Sequence, residues 1–529
     1  MKDELSPQNL CRRKRRNGKI MIEKPVIINI INFIRGVEPR EEVDLYEPVE
    51  QQLKLLNDYN LRGTFLLQYD ALINNKYIEM LKNTPHEIGC WLEVVEPMCE
   101  RAGIKWRGRF PWDWHSHVGF TVGYTVSERE KLIDVLMEEF KDIWGVYPES
   151  VGSWMIDAHS LSYMSEKYKV SASCNCKDQW GTDGYTLWGG YYGQAYYPSK
   201  HNAYAPAQNE EMQINIPIFK MLGSDPIYQY DAGMSVTEGA ANWQHVITLE
   251  PVYMGVGGGV PRWTKWFLDD VLCAPCSLAF GYAQVGQENS FGWPAMEKGL
   301  INQIKLLSQM SDEGRIRIET LASSSKWYRS MFKITPNAAI TALSDWKDED
   351  NQSVWFCSNR YRINFLKEKN SIWIRDLTLF DDNYKERYMN DICDNPIMIY
   401  DNLPVTDGNR WSGNGIRAGW RMFFDDEEIR VDNIEVNESN EDLIIIISSE
   451  QGMVTVCLKT NKIFISSSVP GFNIRMLWGI SKEMDSAEFE ENKMMLHHES
   501  FDYCIKLEAG IFRNQGIITD DNQIIIDFS

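Results

Sequence analysis

VIINIINFI, residues 26–34, is the stretch of sequence that decides the fold. Apart from its asparagines it is continuously apolar, which is typical of a strand buried on both faces of a parallel sheet. Beyond it, Val49, Leu53 and Leu56 recur at helical spacing, and a second apolar run lies at 64–68. This order of strand, helix and strand predicts a βαβ unit.

The same alternation continues outward from this unit. A strongly periodic helix is predicted over residues 127–144. Further short apolar runs lie at residues 86–93, 150–156, 170–174, 214–219, 246–249, 278–282 and 316–318. The number of runs predicts a (β/α) barrel of seven or eight strands over residues 25–334, which would be the catalytic domain.

The helical signal fades after residue 335, where alternating strands and Asp/Asn/Gly turns follow one another. The segments are SVWFCSN (353–359), SIWIRDLTLF (371–380), DLIIIISS (442–449), MVTVCLK (453–459), KIFISSS (462–468) and NQIIIDFS (522–529). Such a pattern predicts an antiparallel β-sandwich over residues 335–529. No low-complexity linker separates the two parts, so we expect them to pack tightly.

Residues 1–24 are predicted to be a flexible leader. Their basic cluster, Arg12 to Arg16, is not followed by the apolar segment of a secretory signal. Eleven cysteines without regular spacing suit a reducing compartment, so we expect no disulfides and a cytoplasmic protein.

Charge and hydropathy limit the partners. With 54 Lys+Arg against 75 Asp+Glu, the net charge of -21 repels nucleic acids and anionic membrane surfaces. No apolar run approaches the roughly 20 residues of a membrane span. A nucleic-acid or membrane partner is therefore not expected, and the oligomeric state stays open.

The residues that follow the predicted barrel strands are mostly carboxylates and amides. They stand where the loops of such barrels converge over the axis. They are Asn32, Arg35, Gln68, Asp70, Trp91, Glu93, Trp154, Asp157, Asn175, Asp178, Glu250, Gln284, Gln287 and Glu288. The loops between them are rich in aromatic residues, including Trp112, Trp114, Trp188 and Tyr192. Aromatic rings stack on the faces of sugars while amides and carboxylates bind their hydroxyls, so the mixture predicts a glycan cleft.

Several strings resemble known families. NFIRG (32–36) lies where polysaccharide deacetylases carry Thr-Phe-Asp-Asp-Gly, and HEIGCW (86–91) resembles their His-Glu-Ile-Gly-Asn-His. GSWMIDAHS (152–160) resembles a segment of retaining α-mannosidases whose aspartate is the nucleophile. CNCKDQWGTDGYTLWGGYY (174–192) and GQENSFGWPAMEKG (286–299) resemble an uncharacterised bacterial family of the glycoside hydrolase/deacetylase barrel superfamily. The resemblance covers most of residues 25–529 and implies an enzyme acting on carbohydrate.

The departures from these motifs concern the metal. Ile34 and Arg35 stand at the two deacetylase aspartates, and Trp91 and Val95 stand at the two ligand histidines. A divalent cation needs anionic or imidazole ligands, and a guanidinium repels it. The His-x-Asp zinc pair of the mannosidases also has no counterpart. We therefore expect no metal and no other cofactor.

A glycosidase needs only a carboxylate pair. The mannosidase resemblance implies that Asp157 is the nucleophile, and Glu288, after the last strong strand, is the candidate acid, with Glu93 and Asp178 as reserves. Asp157 could instead be a helix N-cap and Glu288 an ion-pair partner. The predicted substrate-binding residues are Arg35, Trp91, Glu93, Trp112, Asp113, Trp114, His115, His159, Asp178, Asp183, Trp188, Tyr192 and Gln287. Asp157 and Glu288 are expected to open into one cleft.

Three functions stay open at this stage. The leading one is glycoside hydrolysis by the carboxylate pair. The second is a catalytically silent carbohydrate-binding barrel, which would lack a properly spaced acid pair. The third is a metal-assisted carbohydrate deacetylase, or another amide or ester hydrolase, with a rearranged site at Asp113, His115 and His117.

Overall fold

The computed structural model describes residues 13–16, 19–22, 24–237, 243–479 and 487–529. Most of the predicted leader, residues 1–24, lies outside the described residues. Within it, Arg13–Arg16 pairs antiparallel with Lys19–Ile22. No helix among the described residues is long and apolar enough to cross a membrane.

A parallel sheet forms the first domain and confirms the predicted barrel class. Its hydrogen-bonded order is Ala195–Tyr196, Ile218–Lys220, Ala172–Asn175, Ser150–Gly152, Glu87–Trp91, Thr64–Leu67, Val26–Ile34 and Gly281–Val285, with Arg317–Glu319 also paired to Val26–Ile34. Only Ala195–Tyr196 runs antiparallel to its neighbour in this sheet. Val26–Ile34 is buried along its whole length, because strands or helices cover both of its faces.

Helices connect and cover these strands. The α-helical ranges are Glu47–Asp58, Tyr69–Leu72, Asn75–Leu81, Glu96–Ala102, Ser116–Gly119, Val126–Trp144, Ala158–Tyr163, Pro261–Trp266, Trp293–Asp312 and Leu321–Met331. One long crossover helix, Val126–Trp144, begins with a capping box between Thr125 and Glu128 and is followed by its C-cap Gly145, whose φ is 81°. It buries Leu132, Leu136 and Phe140 in the hydrophobic core of the first domain.

One predicted barrel strand is wrong. Residues 246–249 form a loop with only an isolated bridge between Ser224 and Thr248. Leu249 N donates to Leu222 O at 2.8 Å and Gly258 N donates to Thr248 O at 2.7 Å, so neighbouring loops satisfy this backbone. A short apolar run signals burial, but it cannot distinguish a strand from a buried loop.

The second domain is an antiparallel β-sandwich, as predicted. Its first sheet contains Ala338–Ala342, Asn351–Cys357, Tyr361–Glu368, Ser371–Leu379, Leu403–Asp407, Gly419–Phe424, Glu427–Glu428, Phe472–Leu477, Ile511–Phe512 and Gly516–Ile518. Its second sheet contains Val431–Ser439, Asp442–Ser449, Gly452–Leu458, Lys462–Ser467, Glu488–Glu490, Lys493–His498, Phe501–Ala509 and Gln523–Asp527. Both sheets contribute to one hydrophobic cluster, in which Phe365 and Trp420 of the first accompany Ile445 and Val456 of the second.

A small third sheet joins the two domains. The hairpin formed by Gln179–Thr182 and Tyr185–Leu187 belongs to the barrel, whereas Met398–Tyr400 comes from the sandwich domain and pairs parallel with Tyr185–Leu187. The sandwich therefore holds one of the loops that cover the carboxyl ends of the barrel strands.

A buried ion pair network also joins the domains. Arg362, on a sandwich strand, is fully buried. Its Nε and Nη2 donate to Asp376 at 2.9 and 2.8 Å, and its Nη1 donates to Asp178 of the barrel and to Gly190 O. Asp178 immediately precedes the Gln179–Thr182 strand, so Arg362 anchors that hairpin to the sandwich.

We expect Arg362→Met to lower the free energy of unfolding by about 3–5 kcal/mol, because it leaves two buried carboxylates without their cation. Urea unfolding followed by circular dichroism measures the change. Arg262→Met is the matched control, since its ion pair with Asp348 is exposed on both sides and should contribute less than about 1 kcal/mol. Equal effects of the two substitutions would contradict the anchoring role.

Candidate active site

A cavity of about 320 Å³ lies at the carboxyl ends of the parallel strands. Its lining residues follow the strands directly or come from the loops above them. They are Arg35, Glu38, Arg40, Glu41, Glu93, Trp112, Trp114, Phe120, Trp154, Gln179, Thr182, Asp183, Tyr185, Leu222, Val246, Glu250, Tyr253, Glu288, Ser290 and Phe291. Barrels of this kind carry their reactive groups at this end.

Arg35 occupies the floor of the cavity and is 3% exposed. Its Nη1 lies 2.6 Å from Glu288 Oε2, and its Nε and Nη2 donate to the two oxygens of Glu93 at 3.3 Å. Gln68 Nε2 also donates to Glu93 at 2.8 Å. One guanidinium thus serves two buried carboxylates, and the group of three carries a net negative charge when both are ionised.

Burial raises the pKa of Glu288 to about 7, because the partial compensation by Arg35 is opposed by the charges of Glu93 and Asp183. Burial likewise raises the pKa of Asp70 to about 6, against hydrogen bonds from Gly36 N and Ala71 N. The site therefore holds a carboxyl group that exchanges its proton near neutral pH.

Glu250 stands on another wall of the cavity and is 5% exposed. It accepts hydrogen bonds from Thr248 Oγ1 at 2.7 Å and Gln287 Nε2 at 3.3 Å. Burial raises the pKa of Glu250. The charge of Glu250, followed by burial and the charge of Asp183, raises the pKa of Tyr253.

Aromatic rings form much of the remaining wall. The guanidinium of Arg35 lies 4.0 Å from the ring centroid of Trp112, and that of Arg40 lies between Trp112 and Trp114 at 4.9 and 5.4 Å. The rings of Trp154 and Tyr185 stack with their centroids 6.1 Å apart. The cavity therefore combines flat apolar faces with ionisable groups.

Part of the predicted site is brought together here. The cavity is lined by the predicted residues Arg35, Glu93, Trp112, Trp114, Asp183 and Glu288. Glu288 also forms an ion pair with Arg35, which is the alternative role predicted for it from the sequence.

The prediction that Asp157 opens into the same cleft as Glu288 is wrong. Asp157 is fully buried and is not part of the cavity lining. It is the N-cap of Ala158–Tyr163, accepting from Ser160 N at 3.0 Å, and it also accepts from Thr121 Oγ1 at 2.7 Å and Arg129 Nη1 at 3.1 Å. Although burial opposes it, Arg129 and these hydrogen bonds lower the pKa of Asp157. The chain thus uses this aspartate as a cap and ion-pair partner.

Four other predicted binding residues also lie outside the cavity lining because local partners hold them. Trp91 is fully buried and stacks on Phe33 at 4.4 Å. Asp113 accepts a hydrogen bond from Arg109 and lies 2.6 Å from His115 Nδ1. Asp113 and His115 are therefore each other's partners. His159 Nε2 lies 3.0 Å from Glu130.

The remaining predicted binding residues serve the interface between the domains or the barrel interior. Asp178 pairs with Arg362. Trp188 Nε1 donates to Asp407 at 2.8 Å, and Tyr192 stacks on Trp355 at 3.8 Å. Gln287 is fully buried behind Glu250. The two aromatic residues among them, Trp188 and Tyr192, thus pack within the protein and do not line the cavity.

Several lining residues were missing from the predicted site. They are Glu38, Arg40, Glu41, Phe120, Trp154, Gln179, Thr182, Tyr185, Leu222, Val246, Glu250, Tyr253, Ser290 and Phe291. The first loop after a barrel strand contains Glu38, Arg40 and Glu41, which follow Arg35. This position after a strand is the sequence feature that could have predicted them as lining residues. Glu250 was recognised as a residue after an apolar run, but nothing in the sequence distinguished it from its neighbours.

The residues at the deacetylase metal positions do not fit a metal. Arg35 stands there with Glu93 and Glu288 already bound to its guanidinium. No group of three or more His, Cys, Asp or Glu side chains suited to a metal ion occurs in the described part of the chain. At the rearranged site considered from sequence, Asp113 is occupied by Arg109 and His115.

No protein-family model and no curated protein matches this chain. A solved structure from Parabacteroides distasonis, described as "a putative glycoside hydrolase/deacetylase", is similar over 72% of this chain and 89% of its own, with 16% identity and a TM-score of 0.51. A peptidoglycan deacetylase from Bacillus subtilis matches over 58% of this chain and 94% of its own, with 12% identity and a TM-score of 0.26. The likeness to the first structure establishes a shared fold.

We expect Asp157→Asn to lower the free energy of unfolding by about 3 kcal/mol, because Arg129 then stays buried without its counterion. Thr320→Ala removes an N-cap whose side chain accepts from Ser323 N and is not part of an ion pair, and it should cost about 1 kcal/mol. Urea unfolding of both variants measures the difference. A cost for Asp157→Asn no larger than that of the cap control would contradict the ion-pair role.

The pH dependence of stability tests Glu288. Because its pKa is raised from 4.5 to about 7, its contribution is fully present below pH 4.5 and is lost as the pH rises through about 7. A shift of this size corresponds to roughly 3 kcal/mol. We expect Glu288→Gln to reduce the decline of the unfolding free energy over this pH range by roughly that amount.

Exposed Glu210→Gln is the control for this measurement. Asp70 and Glu386, whose pKa values burial raises to about 6 and about 8, titrate in both proteins and cancel in the difference. If Glu288→Gln and the wild type decline in parallel, Glu288 does not hold a proton in the folded protein near pH 7.

Proposed function

We propose that this protein is a carbohydrate-active hydrolase that cleaves a glycosidic bond in the cavity at the barrel mouth. Glu288 is the general acid and Asp183 the second carboxylate of the pair. The observation that carries the proposal is Glu288 itself: a buried carboxyl with a pKa raised to about 7, in a cavity walled by tryptophan and tyrosine.

The two carboxylates have different environments, which is what an acid and its partner require. Glu288 is 5% exposed, whereas Asp183 is exposed at the cavity mouth and has no cation within 4 Å among the described residues. The charge of Asp183 is one cause of the raised pKa of Glu288. Asp183 thus helps to keep the proton that Glu288 would donate to the leaving oxygen.

The carbohydrate class of the substrate is supported by the walls. Trp154 and Tyr185 present apolar faces for a sugar ring, and Gln179 and Thr182 offer polar groups for its hydroxyls. The shared fold with the structure from Parabacteroides distasonis agrees with this class. A cavity of about 320 Å³ accommodates a small number of sugar units rather than a protein segment.

A catalytically silent carbohydrate-binding barrel is the second candidate. The observation that favours it is the 2.6 Å ion pair between Arg35 and Glu288, which stabilises the ionised carboxylate and so opposes proton donation. Binding of a glycan without turnover would identify this function.

A panel of aryl glycosides tests the two candidates. With a substrate that the wild type turns over, Glu288→Gln should reduce kcat by about 10²–10⁴-fold, the usual contribution of a general acid. Activity should also fall as the pH rises through about 7, because the acid loses its proton. Circular dichroism and thermal melting check that the variant folds.

Glu87→Gln is the matched control for this experiment. Glu87 is a mostly buried carboxyl whose pKa burial raises, but it lies at the start of its strand, at the opposite end of the barrel, bonded to Ser150 and Thr64. It should keep the wild-type rate. A Glu288→Gln variant with an unchanged rate would remove Glu288 from the mechanism.

A further inference from the structure

The cavity has an excess of negative charge. Its ionisable lining consists of two guanidiniums, Arg35 and Arg40, and six carboxylates, Glu38, Glu41, Glu93, Asp183, Glu250 and Glu288. Arg40 is paired with Glu38 at 2.6 Å, and Arg35 with Glu93 and Glu288. Six carboxylates against two cations leave four formal negative charges, or three when Glu288 holds its proton.

The excess is concentrated at residues that have no cation close by. Glu41, Asp183 and Glu250 have no Lys, Arg or His nitrogen within 4 Å among the residues that the structure describes. Glu41 and Asp183 are exposed, so water screens their charges. Glu250 differs because it is buried and its hydrogen-bond donors, Thr248 and Gln287, are neutral.

The charge of Lys177 acts on Glu250 and lowers its pKa, but Lys177 is itself only 3% exposed. Burial lowers the pKa of Lys177 and so disfavours its charged form. Its Nζ lies 3.5 Å from both Asp178 O and Gln179 Oε1 rather than against Glu250. Glu250 is therefore a buried carboxylate whose counterion is incomplete, and ionising it is costly until a cation arrives.

A second observation also indicates a polar ligand in this cavity. Trp112 Nε1 and Tyr185 Oη are buried at 1% exposure and have no oxygen or nitrogen partner among the described residues, although the Cys176 thiol lies near Tyr185. Both residues line the cavity. Buried polar groups are normally paired, so the cavity wall contains two polar groups that lack an oxygen or nitrogen partner.

We infer that the sugar unit bound in this cavity carries a protonated amino group, which pairs with Glu250. The inference rests on the proposed function, from which it takes carbohydrate as the class of the substrate. It adds that the substrate is positively charged. An ammonium supplies the missing counterion and up to three hydrogen-bond donors to a carboxylate that now has only neutral ones. Uronic acids and other anionic sugars are repelled by the same surplus.

An organic ammonium fits the cavity better than a metal ion. The described residues contain no group of three His, Cys, Asp or Glu side chains suited to a metal, and hard divalent cations require several oxygen ligands. The aromatic walls formed by Trp154 and Tyr185 complement the ring that carries the amine.

Calorimetric titration of the wild-type protein with free monosaccharides tests the inference without any turnover. Glucosamine, galactosamine and mannosamine are compared with glucose, galactose and mannose, with N-acetylglucosamine, and with glucuronate. At neutral pH we expect at least one amino sugar to bind about 10-fold more tightly than its neutral parent, which corresponds to about 1.4 kcal/mol. Its advantage should shrink as salt is added.

Glu250→Gln should remove this advantage, whereas the control Glu210→Gln should retain it. The comparison of glucosamine with its uncharged N-acetyl derivative in the wild type needs no variant, so the test survives if Glu250→Gln does not fold. Titration with Mg²⁺ and Ca²⁺ is run beside it. If the wild type binds one of these metal ions and Glu250→Gln does not, Glu250 is part of a site for an inorganic cation, and the inference is overturned.

Equal binding of amino and neutral sugars, or no binding of any amino sugar, would also overturn it. Such results would leave the proposed hydrolase unaffected, because turnover of neutral aryl glycosides and its dependence on Glu288 are measured separately. Conversely, amine-dependent binding without turnover of any glycoside would retain the inference and favour the silent binding barrel.

Discussion

The ion pairs of Arg35 with Glu93 and Glu288 are the constraint on which the barrel mouth depends. The guanidinium holds two buried carboxyl groups together in a place where like charges would otherwise repel each other. The backbone of the same residue is clamped, since Arg35 N donates to Asn289 Oδ1 and Asn289 Nδ2 donates back to Arg35 O, both at 2.9 Å. Side chain and backbone together join the loop after Val26–Ile34 to the loop after Gly281–Val285.

A single cation also leaves this group of two carboxyl groups incompletely neutralised. Burial raises the pKa of Glu288 to about 7, which costs stability as the pH rises, and in the proposed function the retained proton is the one that Glu288 donates. Glu250, on another wall, is buried with neutral donors. The cavity thus places its unsatisfied charge where a ligand can reach it, and satisfies its remaining charges within the fold.

The sandwich contributes to the site through contacts rather than through lining residues. Arg362 and Met398–Tyr400 hold the hairpin that carries Gln179, Thr182 and Asp183 into the cavity. Farther from the cavity, Glu386 of the second domain accepts hydrogen bonds from Ala158 N and Ala203 N. The second domain therefore stabilises the loops of the first, as expected from the absence of a linker between them.

The sequence by itself determined the fold class and nearly all of the barrel strands, because apolar periodicity and strand order are local properties. It also placed Arg35 directly after one buried strand and Glu288 three residues after another, and both residues line the cavity. Tertiary structure decided what the polar residues do. Asp157 faces Arg129 and caps a helix, and Asp178 pairs with Arg362, 184 residues later in the chain. The partner of a buried charge is chosen by packing over long separations, and short motifs carry no information about it.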